Sequence, residues 1–343
     1  MSPYVEGFAE TPAGPVPRVA VSLSRQDWLG TVRARTGIFR SGYKVNPGLY
    51  CVGDAGPKSP VLVTANYKLS FDTLRRELAG LAAWILVADT RGINVWCAAG
   101  KGTFCADEIS LQVGRTRLAQ IVSHRELILP QLGATGVAAR DLKKKCGFAG
   151  IFGPLRAADI RRFLANNRQA DEAMRTVTFS LAERLVLVPV EISLIWKPLA
   201  LATLITFLLS GIGPEIFSLQ AAWQRGLVAT GATLLAIMAG ALITPLFLPW
   251  LPSRQFWLKG VQVGGIFGLA YILCLNETVW SLPGAGLWLW IVAVTSSMAM
   301  NFTGSTPFTS LSGVEKEMRL GLTVQAGAIA AALLLWLAAP FAG

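Results

Sequence analysis

Long uncharged apolar runs in the second half of the chain restrict its fold more than any other feature. Residues 191–343 contain 6 Lys or Arg and 5 Asp or Glu residues, whereas residues 1–190 contain 25 and 15. A helix that spans a bilayer needs ~20 apolar residues, and the runs provide this length five times. The chain is therefore predicted to have a basic N-terminal domain and a membrane domain. The transmembrane helices are predicted at about 192–213, 226–249, 258–276, 279–300 and 320–340.

Basic residues in the loops predict the orientation of the membrane domain. They are concentrated between helices two and three and between helices four and five, as Arg254, Lys259, Lys316 and Arg319. Cytoplasmic loops carry the excess of Lys and Arg. We therefore expect a multi-pass protein of the inner membrane, with the N-terminal domain cytoplasmic and the C-terminus outside. The polar segment Asn301–Arg319 is predicted to be a cytoplasmic loop.

The membrane domain has the features of helix packing and not those of ion transport. Gly260, Gly264 and Gly268 repeat every four residues, a spacing that allows a second helix to approach closely. The middle of the predicted spans contains no ionisable residue that would form a proton relay or an ion site. A transporter is therefore disfavoured.

The N-terminal domain is predicted to begin after a short tail. Residues 1–20 are rich in Pro and Gly, and they lack the basic and apolar regions of a signal peptide. We expect 1–20 to be a disordered tail, 21–190 to be the folded cytoplasmic domain and 191–343 to be the membrane domain.

Segments of strand and helix character alternate along residues 21–190. Strands are predicted at 49–52, 61–64, 84–88, 127–132, 148–152 and 185–190, and helices at 137–145 and 156–164. Two earlier helices are predicted to start at the capping residues Ser24 and Ser70, and Trp28, Leu29 and Val32 would form the apolar face of the first. This alternation predicts a Rossmann-like α/β domain with a mostly parallel sheet and helices on both faces. In such folds a ligand lies outside the carboxyl ends of the strands, which selects Thr64, Asn66, Leu132 and Gly133 as contacts.

One segment after the strand at 84–88 carries candidate chemistry. Asn94 is suited to cap a short helix over 95–99 that contains Cys97. The five cysteines form no CxxC pair and His124 is the only histidine, so the spacing supports neither a disulfide framework nor a zinc or iron–sulfur site. On composition alone, a buried cysteine in an ordinary connection is the favoured interpretation of Cys97. A papain-like nucleophile is disfavoured because His124 would have to be its base.

The segment nevertheless resembles a known signature. Asn94-Val95-Trp96-Cys97-Ala98-Ala99-Gly100-Lys101 resembles the motif of the HgcA-type mercury-methylation corrinoid proteins, in which a soluble corrinoid domain precedes a membrane domain. The soluble domain is also similar to the corrinoid domain of the corrinoid iron–sulfur protein of acetyl-CoA metabolism. The resemblance implies that cobalamin or a related corrinoid binds against this segment as a cap helix. Cys97 would then be the catalytic residue and the lower axial ligand of cobalt.

The resemblance also implies an activity and partners. It implies a corrinoid-dependent methyltransferase of anaerobic metabolism that passes a methyl group from cobalt to Hg(II) and forms methylmercury. The methyl group would come from a methyl-folate-linked donor system, and an iron–sulfur ferredoxin of the HgcB type would supply electrons, since we expect no iron–sulfur cluster on this chain. Membrane lipid is a further expected partner, and nucleic acid is not.

Other functions remain open from the residues alone. The protein could be a membrane-anchored corrinoid methyl carrier for a different acceptor, because no residue outside the motif is recognisable as an Hg(II) ligand. A non-catalytic membrane receptor with a cytoplasmic ligand-binding domain is the third alternative. A red purified protein with corrinoid absorption bands would exclude the receptor.

Overall fold

The structure is a computed structural model that describes residues 2–37, 40–305 and 311–342. The chain divides into an N-terminal unit, Met1–Thr178, and a C-terminal unit, Phe179–Gly343. This division lies closer to the N-terminus than the charge pattern predicted, because residues 181–190 are helical and belong to the C-terminal unit.

The N-terminal unit is built on a mixed sheet. Its strands are β1 Val5–Ala9, β2 Val16–Val19, β3 Gly48–Val52, β4 Val61–Ala65, β5 Ala83–Ala88, β6 Glu126–Leu129 and β7 Ala149–Phe152. Over the described residues they form one seven-stranded sheet in the order β1-β2-β3-β5-β4-β6-β7. Strands β5, β4, β6 and β7 run parallel to one another, so their carboxyl ends share one edge. Strand β3 is antiparallel to β5, and β1 is antiparallel to β2.

Helices cover both faces of this sheet. They are α1 Arg25–Arg35, α2 Lys68–Glu77, α3 Val95–Gly100, α4 Ala106–Arg115, α5 Leu118–Ile121, α6 Ala139–Cys146, α7 Ile160–Ala165 and α8 Glu172–Arg175. Alternate residues of β4 face opposite sides: Val61 and Val63 pack in a core with α3, α4 and α6, whereas Leu62 packs in a second core with α2 and α7. The predicted α/β class is therefore confirmed.

Two predicted local structures are wrong. The segment 1–20, expected to be a disordered tail, contains β1 and β2, which pair with each other and continue the sheet beyond β3. Val19 is almost fully buried in a core that contains Tyr4, and these contacts order the segment despite its Pro and Gly content. The apolar run 185–190 is helical and not a strand, because it leads directly into the first long apolar helix.

The first two helices also differ from expectation. Helix α1 has the predicted capping box of Ser24 and Asp27, but its buried residues are Asp27 and Ala34. Its predicted apolar face points outward: Trp28 is 60% exposed, Leu29 58% and Val32 52%. Helix α2 begins at Lys68 after Tyr67 and not after Ser70.

A buried network of charges attaches α1 to α2. Asp27 accepts hydrogen bonds from Lys68 and from Arg75 Nη2, the latter at 2.9 Å. Asp72 accepts from Lys68 at 2.6 Å and from Arg75 Nε at 2.8 Å. Burial alone would raise the pKa of Asp27, but hydrogen bonds from Lys68 and Ser24 outweigh it and lower that pKa to about 2. Polar contacts therefore hold the inner side of α1.

The C-terminal unit is helical. Its helices are α9 Leu181–Leu185, α10 Val188–Leu209, α11 Leu219–Ile237, α12 Thr244–Phe247, α13 Phe256–Cys274, α14 Leu282–Asn301 and α15 Leu311–Ala338, with a π-helical segment at Met238–Ile243 and two short strands, β8 Ile212–Gly213 and β9 Ile216–Phe217. Within the described residues, five helical stretches are long and apolar enough to cross a membrane. These are Leu181–Leu209, Leu219–Phe247, Phe256–Cys274, Leu282–Gly304 and Ser312–Phe341.

The predicted loop Asn301–Arg319 is largely helical. A 3₁₀ turn occupies Phe302–Ser305, and α15 begins at Leu311, about two and a half turns before the predicted start. Residues 306–310 of the predicted loop lie outside the described residues.

The glycine repeat packs as predicted. A side-chain carbon at Gly260 would lie 2.6 Å from Ser296 Cα, and one at Gly264 would lie 2.9 Å from Val292 Cα. At Gly268 the nearest atom would be Trp288 Cδ1, also at 2.9 Å. All three contacts are with α14, so the repeat brings the backbones of α13 and α14 into direct contact.

Candidate functional site

Helix α3 lies at the carboxyl edge of the parallel strands. It follows β5 through residues 89–94, and it packs on the turn Gln131–Gly133 that follows β6. Asn94 caps the helix: its side chain accepts a hydrogen bond from Cys97 N at 2.9 Å. Folds with a parallel sheet bind ligands at this edge. The motif is therefore held where such a ligand would lie.

The helix presents distinct buried and exposed sides. Val95, Ala98 and Ala99 are buried against the core. Cys97 is exposed, and so is Lys101, which is one turn further along and ends the helix. The interpretation of Cys97 as a buried core cysteine is therefore wrong, because its thiol is open to solvent.

Asn66 organises the segment that leads into α3. This buried side chain follows β4, and its Oδ1 accepts hydrogen bonds from Thr90 N at 3.1 Å and Gly92 N at 2.9 Å and lies 2.9 Å from Thr90 Oγ1. Its Nδ2 donates to Asp89 Oδ1 at 2.9 Å. Arg91 and Gly92 both have positive φ, and the Asn66 contacts hold this turn in place. Asn66 therefore connects the end of β4 to the approach of α3.

Two glycines let the turn after β6 approach α3. A side-chain carbon at Gly133 would lie 2.6 Å from Phe104 Cε1. One at Gly136 would lie 2.4 Å from Phe104 O and 2.8 Å from Ala99 Cα. The backbone of the turn thus rests directly on α3, and any larger residue at Gly136 would separate them.

The predicted site residues fall into two groups. Those that are exposed or half-buried are Asn94, Trp96, Gly100, Lys101 and Leu132. Those that are buried are Thr64, Asn66, Val95, Ala98, Ala99 and Gly133. The small side chains of Ala98 and Ala99 serve the packing of α3 on the protein and do not form its exposed side.

Sequence reasoning missed several residues that build this edge. Gly136 lies three positions after Gly133, a spacing that could have indicated a second close approach. Glu108 of α4 accepts a hydrogen bond from Asp89 N at 2.7 Å, and no pattern in the sequence pointed to it. Thr90, fully buried, donates its hydroxyl to Ile93 O at 2.6 Å and closes the turn.

Comparisons with known proteins match the N-terminal unit. Residues 21–164 match the family CdhD, CO dehydrogenase/acetyl-CoA synthase delta subunit. The N-terminal unit is corrinoid-protein-like. The matched residues all lie in the N-terminal unit and are less than half of the chain.

Individual relatives are subunits of one type of complex. The chain is 29% identical over 151 residues to the acetyl-CoA decarbonylase/synthase complex subunit gamma of Archaeoglobus fulgidus, which is 43% of this chain and 32% of that protein. It is 32% identical over 130 residues to the corresponding subunit of Methanocaldococcus jannaschii, covering 37% and 26%. For subunit gamma 2 of Methanosarcina thermophila the identity is 34% over 123 residues, covering 34% and 25%. The chain spans about a third or less of the length of these relatives.

Proposed function

We propose that the N-terminal unit binds cobalamin or a related corrinoid beside α3 and that the protein transfers a methyl group to Hg(II), forming methylmercury. The observation that carries this proposal is the exposed thiol of Cys97 on a capped helix at the carboxyl edge of the sheet. When bound, the corrinoid supplies a cobalt atom that carries and releases the methyl group. The protein would then be a methyltransferase with Cys97 as its catalytic residue.

The residues around Cys97 suit a broad, flat ligand. A side-chain carbon built at Gly100 would meet no described atom within 4 Å, so the surface one turn along from the thiol is open. The buried side of α3 packs against Gly136, and Ala98 O accepts a hydrogen bond from Phe104 N. An open surface over a helix packed in this way fits one face of a corrin.

The donor set fits cobalt as well. A cysteine sulfur is a soft ligand, and coordination removes its proton. A thiolate donates electron density to the metal that it holds, as in haem thiolate proteins. The Cys97 sulfur would therefore favour release of the methyl group to a soft electrophile such as Hg(II). Asn94 orients the thiol through the helix cap, and Asn66 and Gly133 act as positioning residues beneath it.

Methyl transfer to a different acceptor is the second candidate function. The similarity to gamma subunits of acetyl-CoA decarbonylase/synthase complexes favours it, since those names do not include mercury. In this alternative the role of Cys97 is unchanged and the acceptor differs. Transfer assays with Hg(II) and with other soft acceptors in competition distinguish the two functions.

We propose the partners and the membrane orientation on the same basis. A methyl-folate-linked system would supply the methyl group, and a ferredoxin of the HgcB type would supply low-potential electrons. The five apolar stretches support a multi-pass inner-membrane protein, and an odd number of spans puts the chain ends on opposite sides. The basic loop residues support a cytoplasmic N-terminal unit and an external C-terminus.

The test is replacement of Cys97. In Cys97→Ala the fold should be retained, because Ala is the better helix former and the thiol contributes little buried area. Transfer to Hg(II) should be lost, and the absorption spectrum of bound corrinoid should shift toward that of cobalt with water or no ligand below it. Cys97→Thr should behave in the same way, since a neutral hydroxyl donates less electron density than a thiolate.

Two other cysteines provide matched controls. Cys274→Ala removes another exposed thiol, in the C-terminal unit, and Cys51→Ala removes a buried one in β3. Both variants should keep the wild-type spectrum and transfer rate. Wild-type transfer and an unchanged cobalt spectrum in Cys97→Ala would overturn the axial-ligand role.

A further inference from the structure

Helix α1 carries an exposed apolar stripe with a basic residue at each end. Trp28, Leu29 and Val32 lie on one side of the helix and are each more than half exposed. Arg25 and Arg33 follow the same side at helical spacing, and both are exposed. We name this surface of five residues the α1 stripe.

The α1 stripe does not contribute to the core. The opposite side of α1 provides Asp27, Ala34 and Gly30 to the protein, and Asp27 is bonded to Lys68 and Arg75. A side-chain carbon at Gly30 would lie 2.4 Å from the ring of Tyr43, so this side is closely packed. Folding therefore leaves the apolar side chains of the stripe in water.

We propose that the α1 stripe lies on the surface of an anionic lipid bilayer. A helix with Trp and Leu on one side and Arg at its flanks has the composition of an interfacial helix, whose apolar residues enter the boundary between headgroups and acyl chains. The indole of Trp28 suits that boundary, because its ring is apolar and its N–H is polar. Arg25 and Arg33 complement negatively charged headgroups.

The size of the stripe and its attachment favour lipid over a protein partner. Three apolar side chains supply much less surface than the ~800 Å² per partner of a stable protein–protein interface. The same chain carries helices long and apolar enough to cross a membrane, so a lipid surface is present at high effective concentration. Weak insertion of the α1 stripe is therefore sufficient to keep it on the bilayer. The proposal concerns the side of the N-terminal unit that α1 occupies and does not depend on a bound corrinoid.

The test is hydrogen exchange of the full chain in nanodiscs. Amides of α1 are compared in discs of phosphatidylcholine and in discs that also contain phosphatidylglycerol. We expect slower exchange of α1 in the anionic discs. Arg25→Gln and Arg33→Gln should each reduce this difference by about fivefold, the effect of one basic residue near an anionic surface.

Apolar substitutions separate the stripe from a general effect of lipid. Trp28→Ser should remove the slowing in anionic discs, whereas Leu111→Ser, at a 46% exposed leucine of α4, should leave it unchanged. The fold tolerates either change because both side chains are exposed. Equal exchange of α1 in neutral and anionic discs would overturn the proposal. Protection of α1 that is the same in detergent and in both lipids would assign the stripe to a protein surface and would also overturn it.

Discussion

Replacing Asn66 by Ala should loosen the approach to α3 without removing any residue of the motif. The substitution deletes the acceptor for two backbone N–H groups, Thr90 N and Gly92 N, in a buried turn with positive φ at Gly92. A buried donor left without a partner costs ~1–3 kcal/mol, so the two together predict a loss of about 2–6 kcal/mol in the local stability of the turn. Because 1.4 kcal/mol corresponds to a factor of ten, amides of the turn should exchange at least about thirtyfold faster.

The assay is hydrogen exchange of the full chain, read on peptides that cover residues 89–100. Asn66→Asp is the informative comparison, because it keeps an acceptor oxygen but places a carboxylate against Asp89. The double variant Asn66→Asp with Asp89→Asn exchanges donor and acceptor and should recover most of the loss. Unchanged exchange over 89–100 in Asn66→Ala would refute the assignment of Asn66 as the residue that positions α3. The same conclusion would follow if Asn66→Asp and the double variant lost equal protection from exchange.

Three further predictions follow from packing and charge. Gly136→Ala should lower the melting temperature and weaken corrinoid binding, because the new carbon would lie within 3 Å of the backbone of α3. Gly100→Ala should leave the melting temperature unchanged or higher. Thermal denaturation checks the melting temperatures of the two variants. Asp27 has a lowered pKa, so its contribution to the free energy of unfolding is complete above about pH 4 and is lost as the pH falls toward 2. Denaturant titrations across this pH range should show the loss in the wild type and not in Asp27→Asn. Gly264→Ala should destabilise the C-terminal unit in detergent. Gly265→Ala should not, because its new carbon would lie 4.0 Å from the nearest atom, Trp288 Cζ2. Equal melting temperatures of the two variants would contradict the contact between α13 and α14.

Much of the N-terminal fold could be predicted because its signals are local. The predominantly apolar runs at 61–65 and 83–88 are fully buried strands of the sheet, and such runs have few alternatives. Asn94 before a short helix identified the capped segment with Cys97. The edge at which ligands bind then followed from the parallel order of the strands.

The failures have the opposite character, since each depends on distant contacts. Residues 5–9 and 16–19 belong to a segment rich in Pro and Gly, and pairing with each other and with β3 orders them. Helical spacing predicts that Trp28 lies on an apolar side of α1, but it does not show whether that side faces the core or the solvent. The buried bonds of Asp27 turn the opposite side of α1 inward and leave Trp28 exposed. For Asn66 the sequence predicted a contact with a ligand, and it did not indicate the hydrogen bonds that its side chain makes with Thr90, Gly92 and Asp89.

The charge network between α1 and α2 has a consequence for how this sequence can change over evolutionary time. Asp27, Asp72, Lys68 and Arg75 form a neutral set of two acids and two bases, and Arg75 is fully buried. Loss of one member leaves an unbalanced charge in the interior, which costs more than the whole set contributes. Each position is thus free to vary only when another varies with it. Diverging lineages would pass through paired replacements here, or would exchange the whole set for apolar residues in one episode, and intermediates with three members would be rare.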